Sequence, residues 1–292
     1  MISEDTLARW TAPSSDTEQE KQERAKRMIR QAIDDHEPFR ECSLNVYAKG
    51  SYANNTNVRS DSDVDIAVEC TEVRYWKESK KGHYITPGTR YKGIWTPEKL
   101  RAELILAMKK KFPGQVDTSG VTAIQINANT ARVNADVVPC FSYRYYMENG
   151  HRDGTKIFKV DGKSVVNYPL HQIKNGTDKN NRTNYSYKKC VRILKRIENA
   201  MAMEGKCKAL PSYFIECLAY NCPDYIFARA TWAQILREII IHIYHSLDGI
   251  EPSVDRWIEV NECFYLFHSQ QKWTRQDGRA FAYAAWNYCE FK

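Results

Sequence analysis

Two short segments in which carboxylates alternate with aliphatic residues constrain the fold most. In Asp63-Val64-Asp65-Ile66 and in Ala135-Asp136-Val137, acidic and aliphatic residues take alternate positions. Successive side chains of a β-strand point to opposite faces, so each segment predicts a strand with one apolar face and one acidic face. When such strands are neighbours, Asp63, Asp65 and Asp136 meet on one face of the sheet.

A turn of small residues precedes these acids. Residues 44–48 alternate Leu, Val and Ala, which predicts a strand running straight into Gly50-Ser51. Glycine lets a backbone approach a phosphate closely, and free N–H groups and a hydroxyl can bond to it. Magnesium takes few protein carboxylates and completes its shell with water and phosphate oxygens. The combined pattern therefore predicts a site for a divalent metal and a phosphate.

The first part of the chain alternates strand and helix patterns, whereas only helices are predicted after about residue 170. This order predicts an α+β fold with residues 1–170 as a core lobe and residues 171–292 as a helical lobe. The polar stretch Asn175–Asn184 comes before the first of these helices, and a polar surface loop is one interpretation of it. Two helices are predicted to begin at the N-caps Thr17 (with Glu20) and Thr96. Further helices are predicted to cover residues 186–203, a segment from 211, 232–247, 253–270 and 275–291.

The amino-acid composition limits the binding partners and the cellular compartment that we expect for this protein. The 43 Lys and Arg residues exceed the 36 Asp and Glu residues by seven, which indicates an anionic partner without naming it. Nine cysteines without a C-x-x-C pattern predict reduced thiols. Neither a membrane-spanning run nor a secretory signal in Met1–Asp5 is visible. We therefore expect a cytoplasmic protein that binds no membrane.

These patterns together resemble the signature of the Pol-β-like nucleotidyltransferases. Within them, the chain is most similar to the bacterial cGAS/DncV-like nucleotidyltransferases (CD-NTases) of clade E. The resemblance implies a Pol-β-like core of mixed β-sheet and helices, a C-terminal helical lobe and an active site in the cleft between them. One departure is Lys49, because the clade often has a neutral polar residue before Gly50. The similar segments are Trp10–Glu18, Gly50–Val58, Asp61–Ile66, Pro169, Asn175–Thr183, Val191–Lys195 and Leu210–Tyr213.

The resemblance also assigns roles to single residues. It implies two Mg²⁺ ions, or Mn²⁺ in their place, held by the catalytic residues Asp63, Asp65 and Asp136. The residues implied to bind substrate are Gly50, Ser51, Lys195 and Ser212 at the triphosphate and Asn181 at a base, with Asn167, His171 and Asn175 as alternatives to Asn181. Lys195 belongs to a predicted basic helix face that also contains Lys188, Arg192 and Asn199.

The implied activity is template-independent joining of nucleoside triphosphates into a cyclic oligonucleotide, most simply a cyclic dinucleotide, by two-metal phosphoryl transfer. The implied setting is anti-phage signalling of the CBASS type, in which a separate effector protein reads the product. We expect a monomer without a stable nucleic-acid partner, because the chain has no appended RNA-binding module. The alternatives are a nucleotidyltransferase that modifies RNA or a small molecule, and a catalytically inactive nucleotide-binding protein.

Overall fold

The computed structural model describes residues 2–58, 63–84 and 91–291, so Asp61 and Ser62 of the predicted motif lie outside the described residues. The chain divides into two compact units. The sheet unit consists of Ser15–Ala53 and Arg59–Leu170, and the helical unit of Met1–Ser14, Asn54–Val58 and His171–Lys292. The boundary between these units falls after residue 170. Two segments of the expected core lobe, residues 1–14 and 54–58, lie in the helical unit instead.

In the described part of the sheet unit, seven strands form one mixed sheet in the order β1-β2-β5-β4-β3, with β6 beside β5 and β7 beside β6. The pair β2 and β5 is parallel, and the other pairs are antiparallel. The strands are β1 (Leu44–Lys49), β2 (Val64–Glu78), β3 (Val116–Asp117), β4 (Ile124–Ile126), β5 (Ala135–Met147), β6 (Gly150–Phe158) and β7 (Ser164–Asn167).

The alternating segments form the centre of this sheet. Val64, Ile66, Ala135 and Val137 are fully buried in one apolar cluster. Two helices of the sheet unit, α2 (Asp16–Asp34) and α4 (Pro97–Lys111), contribute apolar side chains to the same cluster. Burial of this face fixes the register of the strands, because a shift by one residue would exchange the two faces. The acidic positions must therefore lie on the opposite face.

The predicted starts of two helices have different outcomes. Thr96 caps α4 as expected, and its side chain accepts the N–H of Lys99. The N-cap of α2, however, is Ser15 with Glu18 as its capping-box partner, so the prediction of Thr17 with Glu20 was wrong by two residues. Two overlapping S/T-x-x-E patterns occur here, and the chain uses the earlier one.

The helical unit surrounds a separate apolar core. Its helices are α1 (Glu4–Trp10), α5 (Pro169–Arg182, which begins two residues before the unit), α6 (Ser186–Met203), α7 (Ser212–Tyr220), α8 (Trp232–Ser246) and α9 (Arg275–Tyr288). Leu7 of α1 is buried in this core. In addition, Arg192 donates to the carbonyl of Thr11 and Arg196 to that of Ala12. These contacts explain why the N-terminal segment belongs to the helical unit.

Two interpretations of the sequence in this half of the chain were wrong. The polar stretch 175–184 is mostly the helix α5 rather than a loop, and Asn175 donates a hydrogen bond to the carbonyl of Val260. Residues 253–270 form turns with one isolated β-bridge between Ile258 and Tyr265 instead of a helix. There the side chain of Asn221 bonds both the N–H and the carbonyl of Ile258, which replaces helical hydrogen bonds.

The α+β class is confirmed, with a mixed sheet and a helical second half. No helix among residues 2–58, 63–84 and 91–291 is both long and apolar enough to cross a membrane.

Candidate active site

The sheet brings the three predicted carboxylates together. Asp65 of β2 lies directly opposite Asp136 of the parallel strand β5, and Asp63 immediately precedes β2. Neighbouring strands of a sheet lie about 4.8 Å apart. All three side chains are half-buried on the face away from the apolar cluster. The same cross-strand row continues to Lys49 of β1 on one side and to Gln125 of β4 on the other.

The environment of Asp136 is electrostatically unfavourable for a carboxylate. Burial, followed by the negative charges of Asp63 and Asp65, raises the pKa of Asp136 to about 6. Lys49 opposes this rise, since its ammonium favours the ionised form. Its Nζ lies 3.3 Å from Oδ1 of Asp65. Lys49 thus offsets in part the mutual repulsion of the three acids.

This donor set fits a hard divalent cation. Mg²⁺ and Mn²⁺ prefer oxygen ligands, and a cation among three carboxylates removes the repulsion that raises the pKa of Asp136. In the described part of the chain, no three acidic, histidine or cysteine side chains are arranged so that they could hold a metal ion as they stand. Lys49 instead engages Asp65. Metal coordination by Asp65 through that oxygen would therefore compete with the ammonium of Lys49.

Gly50 lies against the same carboxylates. It begins the short helix α3 (Gly50–Ala53) with a φ of +70°, which favours glycine. A Cβ atom at this position would also collide with the carboxylate of Asp65. The turn after β1 therefore needs glycine for two reasons, and it places the half-buried Ser51 next in the chain.

Lys195 has partners other than the triphosphate that the resemblance implies. Its side chain is 2% exposed and its Nζ lies 3.1 Å from Oε2 of Glu216, which is 1% exposed. The same ammonium donates to the carbonyl and hydroxyl of Thr56, each at 3.1 Å. On the same helix face, Arg192 is buried and donates to the carbonyl of Asn55. The predicted basic face is thus largely buried, where it holds residues 54–58 in the helical unit.

Sequence reasoning missed Glu216. Its carboxylate accepts hydrogen bonds from Asn54, Thr56 (2.7 Å) and Gln172 (3.2 Å), in addition to the ammonium of Lys195. Burial alone would raise the pKa of Glu216, but Lys195, Thr56 and Gln172 together lower it. A signal was available, because Glu216 is the one acid in the otherwise apolar segment 213–220, and a buried acid needs partners.

The remaining predicted residues lie on the surface of the helical unit. Ser212 is the exposed first residue of α7, after Pro211 at the N-cap. Asn181 is exposed in the last turn of α5. Neither position contradicts the predicted substrate contacts, which stay predictions.

Known proteins resemble the chain over its full length. Residues 174–290 match the family model of the cGAS/DncV-like nucleotidyltransferase C-terminal helical domain. The chain is 35% identical to the cyclic dipyrimidine nucleotide synthase CdnE of Legionella pneumophila, with 98% of each chain covered. It is 34% identical to a cyclic dipurine nucleotide synthase of Elizabethkingia meningoseptica, over 100% of this chain and 99% of that one. The solved structure of the E. meningoseptica CdnE cyclic dinucleotide synthase with GTP and Apcpp aligns with a TM-score of 0.82 and 31% identity, covering 100% of both chains.

Proposed function

This chain belongs to the cGAS/DncV-like nucleotidyltransferases (CD-NTases) of clade E, and from that premise we propose that it synthesises a cyclic oligonucleotide. The substrates are nucleoside triphosphates, the simplest product is a cyclic dinucleotide, and pyrophosphate is released without a template. The observation that carries the proposal is the alignment of Asp65 with Asp136 across parallel strands, with Asp63 beside them. A mere nucleotide-binding protein would have no use for three carboxylates that repel one another.

Asp63, Asp65 and Asp136 would hold the divalent metal, which is Mg²⁺ or Mn²⁺. When bound, two such ions supply activation of the attacking hydroxyl and stabilisation of the leaving pyrophosphate. Asp136 is the carboxylate that we place beside this hydroxyl. The pKa of Asp136, about 6, is that of the metal-free site, because a bound cation would favour the ionised carboxylate.

Other residues of the chain bind or position. We assign Gly50 and Ser51 to the donor triphosphate, since the turn brings its backbone close to Asp65. Ser212 and Asn181 remain our candidates for triphosphate and base contacts. The ammonium of Lys195 would have to leave Glu216 to reach a phosphate. We therefore propose that Lys195 mainly anchors residues 54–58, which precede Asp63 in the chain.

The relatives support a cyclic dinucleotide product without fixing its bases. A dipyrimidine and a dipurine synthase are 35% and 34% identical to this chain, so the proposal extends to a cyclic dinucleotide of either kind. We further propose that a separate effector protein reads the product in anti-phage signalling, and that the enzyme acts as a cytoplasmic monomer.

Incubation of the purified protein with radiolabelled nucleoside triphosphates and Mg²⁺ or Mn²⁺ tests the proposal. We expect a labelled product that resists phosphatase, because a ring has no terminal phosphate. The variants Asp63→Asn and Asp136→Asn should yield none. Asp161→Asn, an exposed acid of the same unit, should retain full activity as the matched control.

The same assay separates the alternative activities. Product formation only after addition of RNA or a small-molecule acceptor would replace cyclic synthesis with transfer to that acceptor. Binding of nucleoside triphosphates without any turnover would indicate a catalytically inactive binding protein.

A further inference from the structure

Lys49 lies beside the three carboxylates, and the function proposed above gives it no role. It is the last residue of β1, directly opposite Asp65 in the antiparallel pair. Its side chain is 16% exposed, and its Nζ lies 3.3 Å from Oδ1 of Asp65. An ammonium that is mostly shielded from water is held more firmly than a surface lysine, since solvent screens it less.

The ammonium of Lys49 and a divalent metal ion would compete for the negative charge of Asp65. A divalent ion about 6 Å from an ammonium is repelled enough to weaken its binding about tenfold, even at the dielectric constant of water. The lysine side chain has a flexible stem and can move its charge by several ångströms. Metal binding at Asp65 therefore favours a state in which the ammonium has another anionic partner.

A triphosphate is a suitable second partner. Lysine binds phosphate as a point charge, and Lys49 directly precedes the Gly50-Ser51 turn that we assign to the donor triphosphate. We propose that Lys49 is a positioning residue that pairs with Asp65 before substrate arrives and transfers its ammonium to the triphosphate, so that metal and nucleotide load together. This inference rests on the proposed function of the site.

The proposal predicts opposite effects on two ligands that can be measured separately. The first is Mn²⁺ alone, titrated by electron paramagnetic resonance without any nucleotide. The second is inorganic triphosphate, titrated calorimetrically in EDTA. For Lys49→Gln we expect Mn²⁺ to bind about tenfold more tightly and triphosphate about tenfold more weakly.

Two further variants control for charge and for folding. Lys110→Gln removes an exposed lysine of α4 and should change neither affinity, although it lowers the net charge equally. Lys49→Arg keeps the charge and can grip Asp65 with two N–H groups, so its Mn²⁺ affinity should not exceed that of the wild type. A merely structural ion pair would not produce opposite changes in the two affinities.

Three results would overturn the inference. One is an unchanged Mn²⁺ affinity in Lys49→Gln while Asp65→Asn abolishes Mn²⁺ binding. Another is a gain in Mn²⁺ affinity in Lys49→Arg as large as in Lys49→Gln. The third is an unchanged triphosphate affinity in Lys49→Gln. If the wild type still makes a phosphatase-resistant product, any of these results removes the role of Lys49 and leaves the proposed function intact.

Discussion

Replacement of Asp136 by Asn should stabilise the protein above about pH 7 while it abolishes synthesis. Burial disfavours the ionised carboxylate of Asp136, and so do the negative charges of Asp63 and Asp65. Together they raise the pKa of Asp136 from 3.8 to about 6. Asparagine has nearly the same shape without the charge. The substitution therefore removes an unfavourable interaction from the folded state.

The sign and size of the effect follow from the pKa. Because the folded protein binds this proton more tightly than the unfolded chain, the stability that Asp136 provides when protonated is lost as the pH rises from about 4 through 6. The full shift corresponds to about 3 kcal/mol. Partial exposure screens part of it, so we expect Asp136→Asn to gain about 1–2 kcal/mol at about pH 8. Most of this gain should disappear at about pH 4.5.

Urea denaturation in EDTA, followed by tryptophan fluorescence, measures the free energy of unfolding at both pH values. Asp161→Asn serves as the control, since its carboxylate is exposed. Addition of Mn²⁺ should stabilise the wild type more than Asp136→Asn. An Asp136→Asn variant that is less stable than the wild type at about pH 8, or a gain independent of pH, would refute the electrostatic argument.

Three further substitutions test other parts of the structure. Gly50→Ala should abolish synthesis and cost about 1–3 kcal/mol in thermal melts, because it combines a positive φ with a collision against Asp65; full activity would contradict this packing. Glu216→Ala should cost about 3–5 kcal/mol in urea denaturation, because it leaves the ammonium of Lys195 buried without its partner. A loss below about 1 kcal/mol would mean that the pair is not buried in solution. Ser15→Ala should cost about 1 kcal/mol and leave synthesis unchanged, since it removes the cap of α2; a Thr17→Ala variant with the larger loss would contradict the assigned cap.

Local patterns predicted the parts of the fold that depend on neighbouring residues in the chain. The strand face of Val64 and Ile66 and the Thr96 cap of α4 follow from alternation and from hydrogen bonds within one turn. The same reasoning gave Asp63, Asp65 and Asp136 as a set, because strand alternation fixes the face of each side chain. The family resemblance added the catalytic and metal-binding roles of these residues.

Features that depend on distant parts of the chain could not be predicted from local sequence patterns. Lys195 and Glu216 lie 21 residues apart, and their pairing depends on how α6 packs against α7. The helical spacing within residues 253–270 was misleading, because Asn221 from another segment satisfies the backbone of Ile258. The Lys49–Asp65 pair depends on the register of β1 against β2, and a shift of that register by two residues would leave the same side chains on each face.

The central claim is that Asp63, Asp65 and Asp136 catalyse the closure of a nucleotide ring. Mass spectrometry of the reaction products tests this claim most directly. Wild-type protein with all four nucleoside triphosphates and Mg²⁺ should yield a product with the mass of two nucleoside monophosphates less two waters. Asp136→Asn should yield none under the same conditions. Products that are only linear and keep a 5′-triphosphate, or an equal yield of the cyclic product from Asp136→Asn, would contradict the account.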